Sequence, residues 1–238
     1  KKFDDKEFDR IKNKVDFKLT NDQNVALDEI NKDLKSNQKM FRLLQGDVGS
    51  GKTIVALIAS ANVISSGFQV CLMAPTEILA RQHYNLANKL FDKNINIKIL
   101  TSKTEYSERK EILKNLNNNN INLIIGTHSL FQEKIKYNNL GLIIIDEQHK
   151  FGVKQRKKLS DKGGKNCDVL VMSATPIPRT MIMTIFGDMD TSIIKNKPKN
   201  RKEIKTYSKL ETKTNEVIKF IKKKIGQKNQ VFWVCPLI

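Results

Sequence analysis

The feature that most constrains this chain is a glycine-rich octapeptide, Gly46-Asp47-Val48-Gly49-Ser50-Gly51-Lys52-Thr53, which matches the pattern GxxxxGK[ST]. An apolar run, Phe41–Gln45, precedes it and predicts a buried strand, and the residues that follow predict a helix over Lys52–Ser65. Glycines let backbone N–H groups turn inward around phosphate oxygens, and a following helix presents the positive end of its dipole to the same anion. A strand, this loop and a helix in that order predict a phosphate-binding P-loop.

Two side chains of the loop and two acids downstream have predicted chemical roles. Lys52 would reach the β- and γ-phosphates of a nucleotide, and the hydroxyl of Thr53 would bind Mg²⁺. A P-loop needs a second metal site on a neighbouring strand, and the apolar run Leu142–Ile145 leads directly into Asp146 and Glu147. Asp146 would hold Mg²⁺ through water, and Glu147 would orient and deprotonate the attacking water. Everything functional depends on these two segments converging around a magnesium–triphosphate.

Apolar runs and helical patterns alternate along the chain, which is typical of a parallel α/β sheet covered on both faces. The predicted strands are Phe41–Gln45, Val70–Ala74, Ile97–Thr101, Leu123–Gly126, Leu142–Asp146 and Val169–Ser173. The predicted helices are Asp22–Lys35, Lys52–Ser65, Glu77–Phe91, Tyr106–Leu116 and Pro178–Phe186.

The chain divides into three predicted segments: a lead-in over residues 1–16, an ATP-binding domain over 17–196, and a linker with the start of another domain over 197–238. The linker is the Lys/Asn-rich stretch around Pro198. Beyond it the pattern predicts a strand at Ile204–Tyr207, a helix at Asn215–Ile225 and a strand at Val231–Leu237. Because the chain begins with Lys and stops in an apolar run, we expect a piece of a longer polypeptide.

Charge and composition narrow the class of protein. The formal net charge is +18, and most of the excess lies in Lys150–Lys165 and Lys195–Asn229. A basic surface suits nucleic acid, but a biased genome rich in Lys, Asn and Ile would give the same excess. No apolar run is long enough for a membrane span, the residues from Lys1 to Arg10 lack the apolar core of a signal peptide, and the three cysteines are scattered. We therefore expect a cytoplasmic, nucleoid-associated protein with no membrane partner and no structural metal.

Other nucleotide-binding classes fit less well. Asn13–Asp16 matches a guanine-reading NKxD pattern and Asp161–Gly164 matches DxxG, but both occur in the wrong order relative to the P-loop and the acidic pair. A small-molecule kinase would use a P-loop but would leave the remaining motifs unexplained.

With both sites placed, the chain resembles the superfamily 2 helicases and translocases, of the DExH type through Asp146-Glu147-Gln148-His149. Further stretches match that superfamily's motifs in order. They are Phe17-Lys18-Leu19-Thr20 followed by Gln23 for the Q-motif, Ala74-Pro75-Thr76-Glu77 continuing to Gln82-His83 for motif Ia, Gly126-Thr127-His128 for motif Ib, and Ser173-Ala174-Thr175 for motif III.

Within that superfamily the chain resembles the RecG family of branched-DNA helicases of recombination and repair. The resemblance is carried by residues 44–53, Gly126–Gln132, Asp146 through Phe151-Gly152-Val153, and Ala174–Thr180. The Mfd family of duplex-DNA translocases shares Thr-Pro-Ile-Pro-Arg-Thr but usually has a second acid where this chain has Gln148. Two alternatives stay open: an Mfd-like translocase, and an ATP- or DNA-binding fragment without turnover.

The resemblance implies a RecA-like P-loop NTPase domain, with a mostly parallel sheet sandwiched by helices, plus the beginning of a second α/β domain. It also assigns residues. Gln23 would read adenine, which implies ATP. Gln148 and His149, with Ser173 and Thr175, would sense the γ-phosphate and relay its loss.

Three residues are predicted by the resemblance to contact the backbone of branched or forked DNA: Thr76, Thr127 and His128. Thr76 could instead only cap a helix, and His128 could be structural. We expect His83 on a solvated helix face. Helicases of this kind contribute arginine fingers from a second motor domain, worth about 10³–10⁵ in rate in related NTPases. No such motif is in this chain, so we expect it to bind Mg·ATP weakly and to be inactive alone. We also expect a monomer.

Overall fold

The computed structural model describes residues 5–132, 135–146, 167–175, 189–196 and 205–235. The chain forms two compact units, Lys1–Lys199 and Asn200–Ile238. The first unit contains a seven-stranded sheet in the order β3-β4-β2-β5-β6-β1-β7. Its strands are β1 Phe41–Gly46, β2 Gln69–Met73, β3 Ile97–Leu100, β4 Leu123–Gly126, β5 Leu140–Ile145, β6 Asp168–Ser173 and β7 Asp190–Ile194. Every strand pair in this sheet is parallel.

The helices of the first unit cover both faces of the sheet. They are α1 Asp5–Asn13, α2 Asn21–Lys35, α3 Lys52–Ser65, α4 Glu77–Leu90 and α5 Tyr106–Asn117, followed by a short 3-10 helix at His128–Phe131. From β1 to β3 the chain runs towards one edge of the sheet, and from β3 onwards it runs back. Because crossovers between parallel strands are right-handed, α3 and α4, which connect β1 to β3, lie on one face of the sheet, and α5, which follows β3, lies on the other. None of the helices in the described ranges is long and apolar enough to cross a bilayer.

The two faces carry separate hydrophobic cores, which alternate residue by residue along each strand. Leu44 and Leu72 pack under α1 to α4 in the first core, whereas Leu43 and Met73 pack with α5 in the second. Successive side chains of a strand point to opposite faces, so a strand buried on both faces must be continuously apolar. The predicted fold class, α/β with a mostly parallel sheet between helices, is confirmed.

One strand and one α-helix of the first unit were not predicted. Among the described strands, β7, Asp190–Ile194, pairs with β1 alone and is half exposed. Its sequence begins with polar residues, so a search for apolar runs does not find it. Helix α1 is mostly charged, but Phe8 and Ile11 lie one turn apart and are buried in the first core. The predicted helix Pro178–Phe186 lies outside the described residues.

The second unit contains a 3-10 turn at Glu211–Lys213 and one long helix, α6, at Thr214–Gly226. The helix agrees with its prediction. The strands predicted at Ile204–Tyr207 and Val231–Leu237 are wrong over their described parts, because residues 205–207 and 231–235 are not in strands. A helix makes its backbone hydrogen bonds locally, whereas a strand needs a neighbouring strand, and the described part of this unit offers none.

Cys71 and Cys167 are buried in the second core, and Cys235 is exposed. The Tyr137 hydroxyl lies 3.5 Å from the Cys71 sulfur. Burial, and then the neighbouring Cys71, raises the pKa of Tyr137 well above its usual range. The phenol therefore stays protonated, and this cluster acts by packing.

Candidate active site

The carboxyl ends of the strands form one edge of the parallel sheet, which we call the carboxyl edge. Strand β1 ends there at Gly46, the first residue of the P-loop, and β5 ends there at Ile145, directly before Asp146. Strand β6 lies between them and ends at Ser173. Neighbouring strands are about 4.8 Å apart, so the ends of β1 and β5 are separated by about 10 Å. Lys52 and Asp146 thus belong to segments that leave the sheet at the same edge.

The P-loop depends on glycine at two positions. Gly49 and Gly51 have φ values of 75° and 89°, in the left-handed region that disfavours other residues. A Cβ on Gly51 would lie 2.3 Å from Nε2 of Gln23. The Ser50 N–H donates to the Asp47 carbonyl at 3.0 Å, which closes the turn. Local geometry therefore requires the glycines that the motif requires.

The loop has the chemistry of an anion site. The N-cap of α3 is Gly51, which has no side chain to cap the helix, and the first N–H groups of a helix point to its amino end, where they favour an anion. The Ser50 hydroxyl is buried, and no group in the described ranges hydrogen-bonds to it. Lys52 is buried, and its ammonium donates to the carbonyls of Gly46 and Asp47 at 2.7 and 3.2 Å. A cation, N–H donors and an orphaned hydroxyl gathered in one turn fit a phosphate group, and the half-buried Thr53 follows directly.

Gln23 ties the Q-motif to this loop. Its Nε2 donates to the Ser50 carbonyl at 2.8 Å, and its Oε1 accepts from the Thr20 N–H at 2.8 Å. Thr20 and Gln23 also form a capping box at the start of α2. The side chain is fully buried, so in this geometry it positions the P-loop. Its predicted reading of adenine stays a prediction.

An open cleft of about 420 Å³ lies beside the same segment. Its walls include Phe17, Leu19 and Asn24, and Phe17 is half exposed. Phe17 was predicted only as part of the Q-motif, and the cleft beside it is visible only in the structure.

Asp146 is buried and has an unexpected partner. Nε2 of His83, on α4, lies 2.8 Å from its Oδ2, and His83 is only 6% exposed. The expectation that His83 lies on a solvated helix face is therefore wrong. His83 shares the buried stripe of α4 with Ala80, Ala87 and Leu90, at helical spacings of three and four residues. That spacing is the signal that could have placed it correctly.

The motif III segment lies between the two halves of the site. The Ser173 Oγ is 3.1 Å from the Thr175 Oγ1 and accepts from the Thr175 N–H at 3.2 Å. Gln45, one residue before the P-loop, donates to the Thr175 carbonyl at 3.2 Å. This hydrogen bond connects the segment of Ser173 and Thr175 to β1, the strand that enters the P-loop. The predicted residues Glu147, Gln148 and His149 lie outside the described residues.

The residues predicted to contact DNA lie farther along the carboxyl edge. Strand β2 ends opposite β4, with Met73 paired to Gly126, and the Ala74 N–H donates to the Gly126 carbonyl at 2.8 Å. This pairing brings the segments that carry Thr76 and Thr127 side by side. Thr76 is exposed and caps α4 through Oγ1, which accepts from the Leu79 N–H at 3.3 Å.

Thr127 and the exposed His128 begin the 3-10 helix. The Thr127 carbonyl accepts from the Leu130 N–H at 3.0 Å, and its hydroxyl makes no capping bond. The two threonines therefore differ, because only the hydroxyl of Thr76 has a local structural role.

Known proteins resemble this chain at the level of family, sequence and structure. The sequence profile of the DEAD/DEAH box helicases matches residues 20–184. The ATP-dependent DNA helicase RecG of Borreliella burgdorferi is 46% identical over 231 residues, covering 97% of this chain and 34% of that protein. The Bacillus subtilis RecG is 46% identical over 238 residues, covering 100% of this chain and 35% of that protein.

A solved structure of RecG bound to a three-way DNA junction superposes on this chain with a TM-score of 0.88. It is 43% identical, and the match covers 100% of this chain and 32% of that one. The chain thus spans about a third of the length of the curated relatives it matches.

Proposed function

The chain belongs to the DEAD/DEAH box helicase family, and on that premise we propose that it is an ATP-driven motor domain of a RecG-type DNA helicase. In a longer parent protein, this domain would couple ATP hydrolysis to the remodelling of branched DNA, namely junction branch migration and fork reversal in recombination and repair. The observation that supports the proposal is the common carboxyl edge of β1, β6 and β5, where the segments that carry Lys52, Ser173 and Asp146 leave the sheet. The RecG relatives favour this activity over an Mfd-type translocase.

ATP would be held by the loop from Gly46 to Thr53. The N–H groups of the loop and of the start of α3 would donate to phosphate oxygens, and the Ser50 hydroxyl would gain a partner. Lys52 would exchange its bonds to loop carbonyls for bonds to phosphate. The purine would lie in the cleft beside Phe17, whose exposed ring offers a stacking face, with Gln23 next to it.

Mg²⁺ would be held by the Thr53 hydroxyl and, through water, by the Asp146 carboxylate, since this ion prefers oxygen ligands and keeps several of its waters. When bound, it neutralises negative charge on the β- and γ-phosphates during transfer. Asp146 would keep its carboxylate in place through the bond to His83. Glu147, the next residue, would take a proton from the attacking water, and Gln148, His149, Ser173 and Thr175 would respond to the γ-phosphate.

DNA would bind at the part of the carboxyl edge that carries Thr76, Thr127 and His128. Thr76 and Thr127 present hydroxyls at neighbouring strand ends, together with the exposed His128, and such groups hold phosphodiesters without reading bases. The basic stretch Lys195–Asn229 would add sequence-independent, salt-sensitive affinity. Residues 17–196 would form the motor domain and 197–238 the entry to a second one, in a monomeric protein located with the DNA in the cytoplasm.

The direct test is Lys52→Ala. We expect this change to abolish binding of a fluorescent ATP analogue in the presence of Mg²⁺, because it removes the cation of the phosphate site. The thermal unfolding midpoint should stay close to that of the unaltered chain. Lys89→Ala, on the exposed face of α4, is the matched control and should bind the analogue normally. An unchanged titration with Lys52→Ala would refute the proposed site.

A further inference from the structure

The pair formed by His83 and Asp146 is an unusual buried contact. Asp146 is 7% exposed and His83 is 6% exposed, and their 2.8 Å contact joins α4 to the end of β5. A buried carboxylate is costly unless a donor satisfies it. As a carboxylate, Asp146 can only accept, so Nε2 of His83 is the donor. One carboxylate oxygen, Oδ2, is thereby committed to α4.

Asp146 is held a second time by the same stretch of chain. Its backbone N–H donates to the Met73 carbonyl, at the end of β2, at 2.8 Å. Strand β2 continues through Ala74 and Pro75 to Thr76, which caps α4, and α4 carries His83 back to the carboxylate. The backbone of Asp146 is thus bonded to the last residue of β2, and its side chain is bonded to the middle of α4, the helix that follows β2. A displacement of α4 relative to β2 would turn the Asp146 carboxylate.

We propose that His83 is a positioning residue, which orients the Asp146 carboxylate towards the metal of the nucleotide site. A carboxylate with one fixed oxygen presents the other in a defined direction, which lowers the cost of ordering it when a cation binds. The role assigned to His83 rests on the proposed function, since it requires Asp146 to be a metal ligand. It differs from a packing role, which would affect stability but not the response to Mg²⁺.

The experiment measures how the binding of a fluorescent ATP analogue to the whole 238-residue chain depends on Mg²⁺ concentration. His83→Leu should raise the Mg²⁺ concentration at half-maximal binding about 10-fold, the lower end of what loss of such a partner costs. His83→Gln should restore the response to within about threefold of the unaltered chain, because its Nε2 can donate from a similar position. Asn85→Ala, exposed on the same helix, is the control and should change nothing.

A double-mutant cycle shows whether His83 acts through Asp146. Asp146→Asn should raise the Mg²⁺ requirement by itself, and adding His83→Leu should raise it no further. Additive effects in the double variant, or a glutamine that fails to restore the response, would overturn the positioning role. So would an unchanged Mg²⁺ dependence in His83→Leu.

Folding is followed in parallel by thermal unfolding. If His83→Leu does not fold, His83→Ala replaces it in the cycle, since it removes the ring without adding apolar bulk. Failure of the proposed function looks different: Lys52→Ala would then bind the analogue normally, whatever His83 does. If the unaltered chain showed no Mg²⁺-dependent binding, the proposed function and the role of His83 would both be overturned.

Discussion

The carboxyl edge has two parts, and their residues are constrained in different ways. At the P-loop end, residues 46–53, Gly49 and Gly51 have left-handed backbones, and the buried Ser50 hydroxyl has no hydrogen-bond partner in the described part of the chain. At the threonine end, residues 74–76 and 126–128, Thr76 and Thr127 have ordinary extended backbones. Only the P-loop end therefore combines backbone conformations that favour glycine with a buried hydroxyl that lacks a partner among the described residues.

This difference shows what a motif can establish by itself. A buried hydroxyl without a partner has no benefit for folding, so its presence beside two left-handed glycines in the P-loop points to a ligand. The hydroxyl of Thr76, by contrast, satisfies α4, and an exposed helix cap would look the same in a protein that never meets DNA. Substitutions of the glycines at the P-loop end should therefore change the free energy of unfolding most, whereas substitutions at the threonine end should mainly change DNA affinity.

The largest effect is expected at Gly51. Gly51→Ala combines a left-handed backbone with a Cβ placed 2.3 Å from the Gln23 amide, a side chain that is itself fully buried. We expect it to lower the free energy of unfolding by about 2–5 kcal/mol, from the sum of conformational strain and overpacking. Urea denaturation measures this loss.

Gly67→Ala is the matched control for Gly51. Gly67 also has a left-handed backbone, with φ of 80°, but nothing lies within 4 Å of the position of its Cβ. The substitution should cost only the strain, about 1–2 kcal/mol. Equal losses at the two glycines would mean that the contact of Gly51 with Gln23 contributes nothing, and that the Q-motif does not position the P-loop.

The fold was predictable for elements that are buried on all sides, because burial requires apolar residues throughout such an element. Strand β4 and helix α3 have their predicted bounds, since a strand covered on both faces and a buried helix need apolar residues throughout. Strand β7 was not predictable in this way, because one of its edges faces no strand of the described residues and its sequence, Asp-Thr-Ser-Ile-Ile, begins with polar residues. The predicted strands are wrong over residues 205–207 and 231–235, because an apolar run does not specify a neighbour to pair with.

The candidate site was predictable in its loop and less so in its supporting contacts. The P-loop motif encodes its own geometry, so Gly51 and Lys52 could be assigned from spacing. The pairing of His83 with Asp146 joins residues far apart in sequence, and no local pattern encodes such a distance. The Gln23 bond to the P-loop is likewise long-range, although its capping box with Thr20 is a local signal that the sequence does carry.

At Thr76, two substitutions separate capping from DNA contact. Thr76→Ala should lower the free energy of unfolding by about 1 kcal/mol, because α4 loses its cap. Thr76→Asp should retain the cap, since aspartate is an equally good N-cap, but its charge would repel phosphodiesters. We expect this variant to bind a fluorescently labelled three-way DNA junction at least about 10-fold more weakly than the unaltered chain. Normal junction affinity in Thr76→Asp would mean that Thr76 acts only as a helix cap and does not contact DNA.

The smallest effect is expected at Thr127, and it falls on binding alone. The 3-10 helix uses the Thr127 carbonyl and not its hydroxyl, so Thr127→Val should leave the free energy of unfolding within about 0.5 kcal/mol of its original value. Losing one hydrogen bond to a phosphodiester should cost about 1 kcal/mol of binding, or about fivefold in junction affinity.

Thr191→Val, on the half-exposed edge strand β7, removes the same hydroxyl at a position outside every motif and should leave affinity unchanged. If Thr127→Val and Thr191→Val bind the junction equally well, the Thr127 hydroxyl is not a DNA contact. Combined with normal junction affinity in Thr76→Asp, that result would leave the threonine end without a ligand to match the phosphate of the P-loop, and the contrast between the two ends of the carboxyl edge would be one of structure alone.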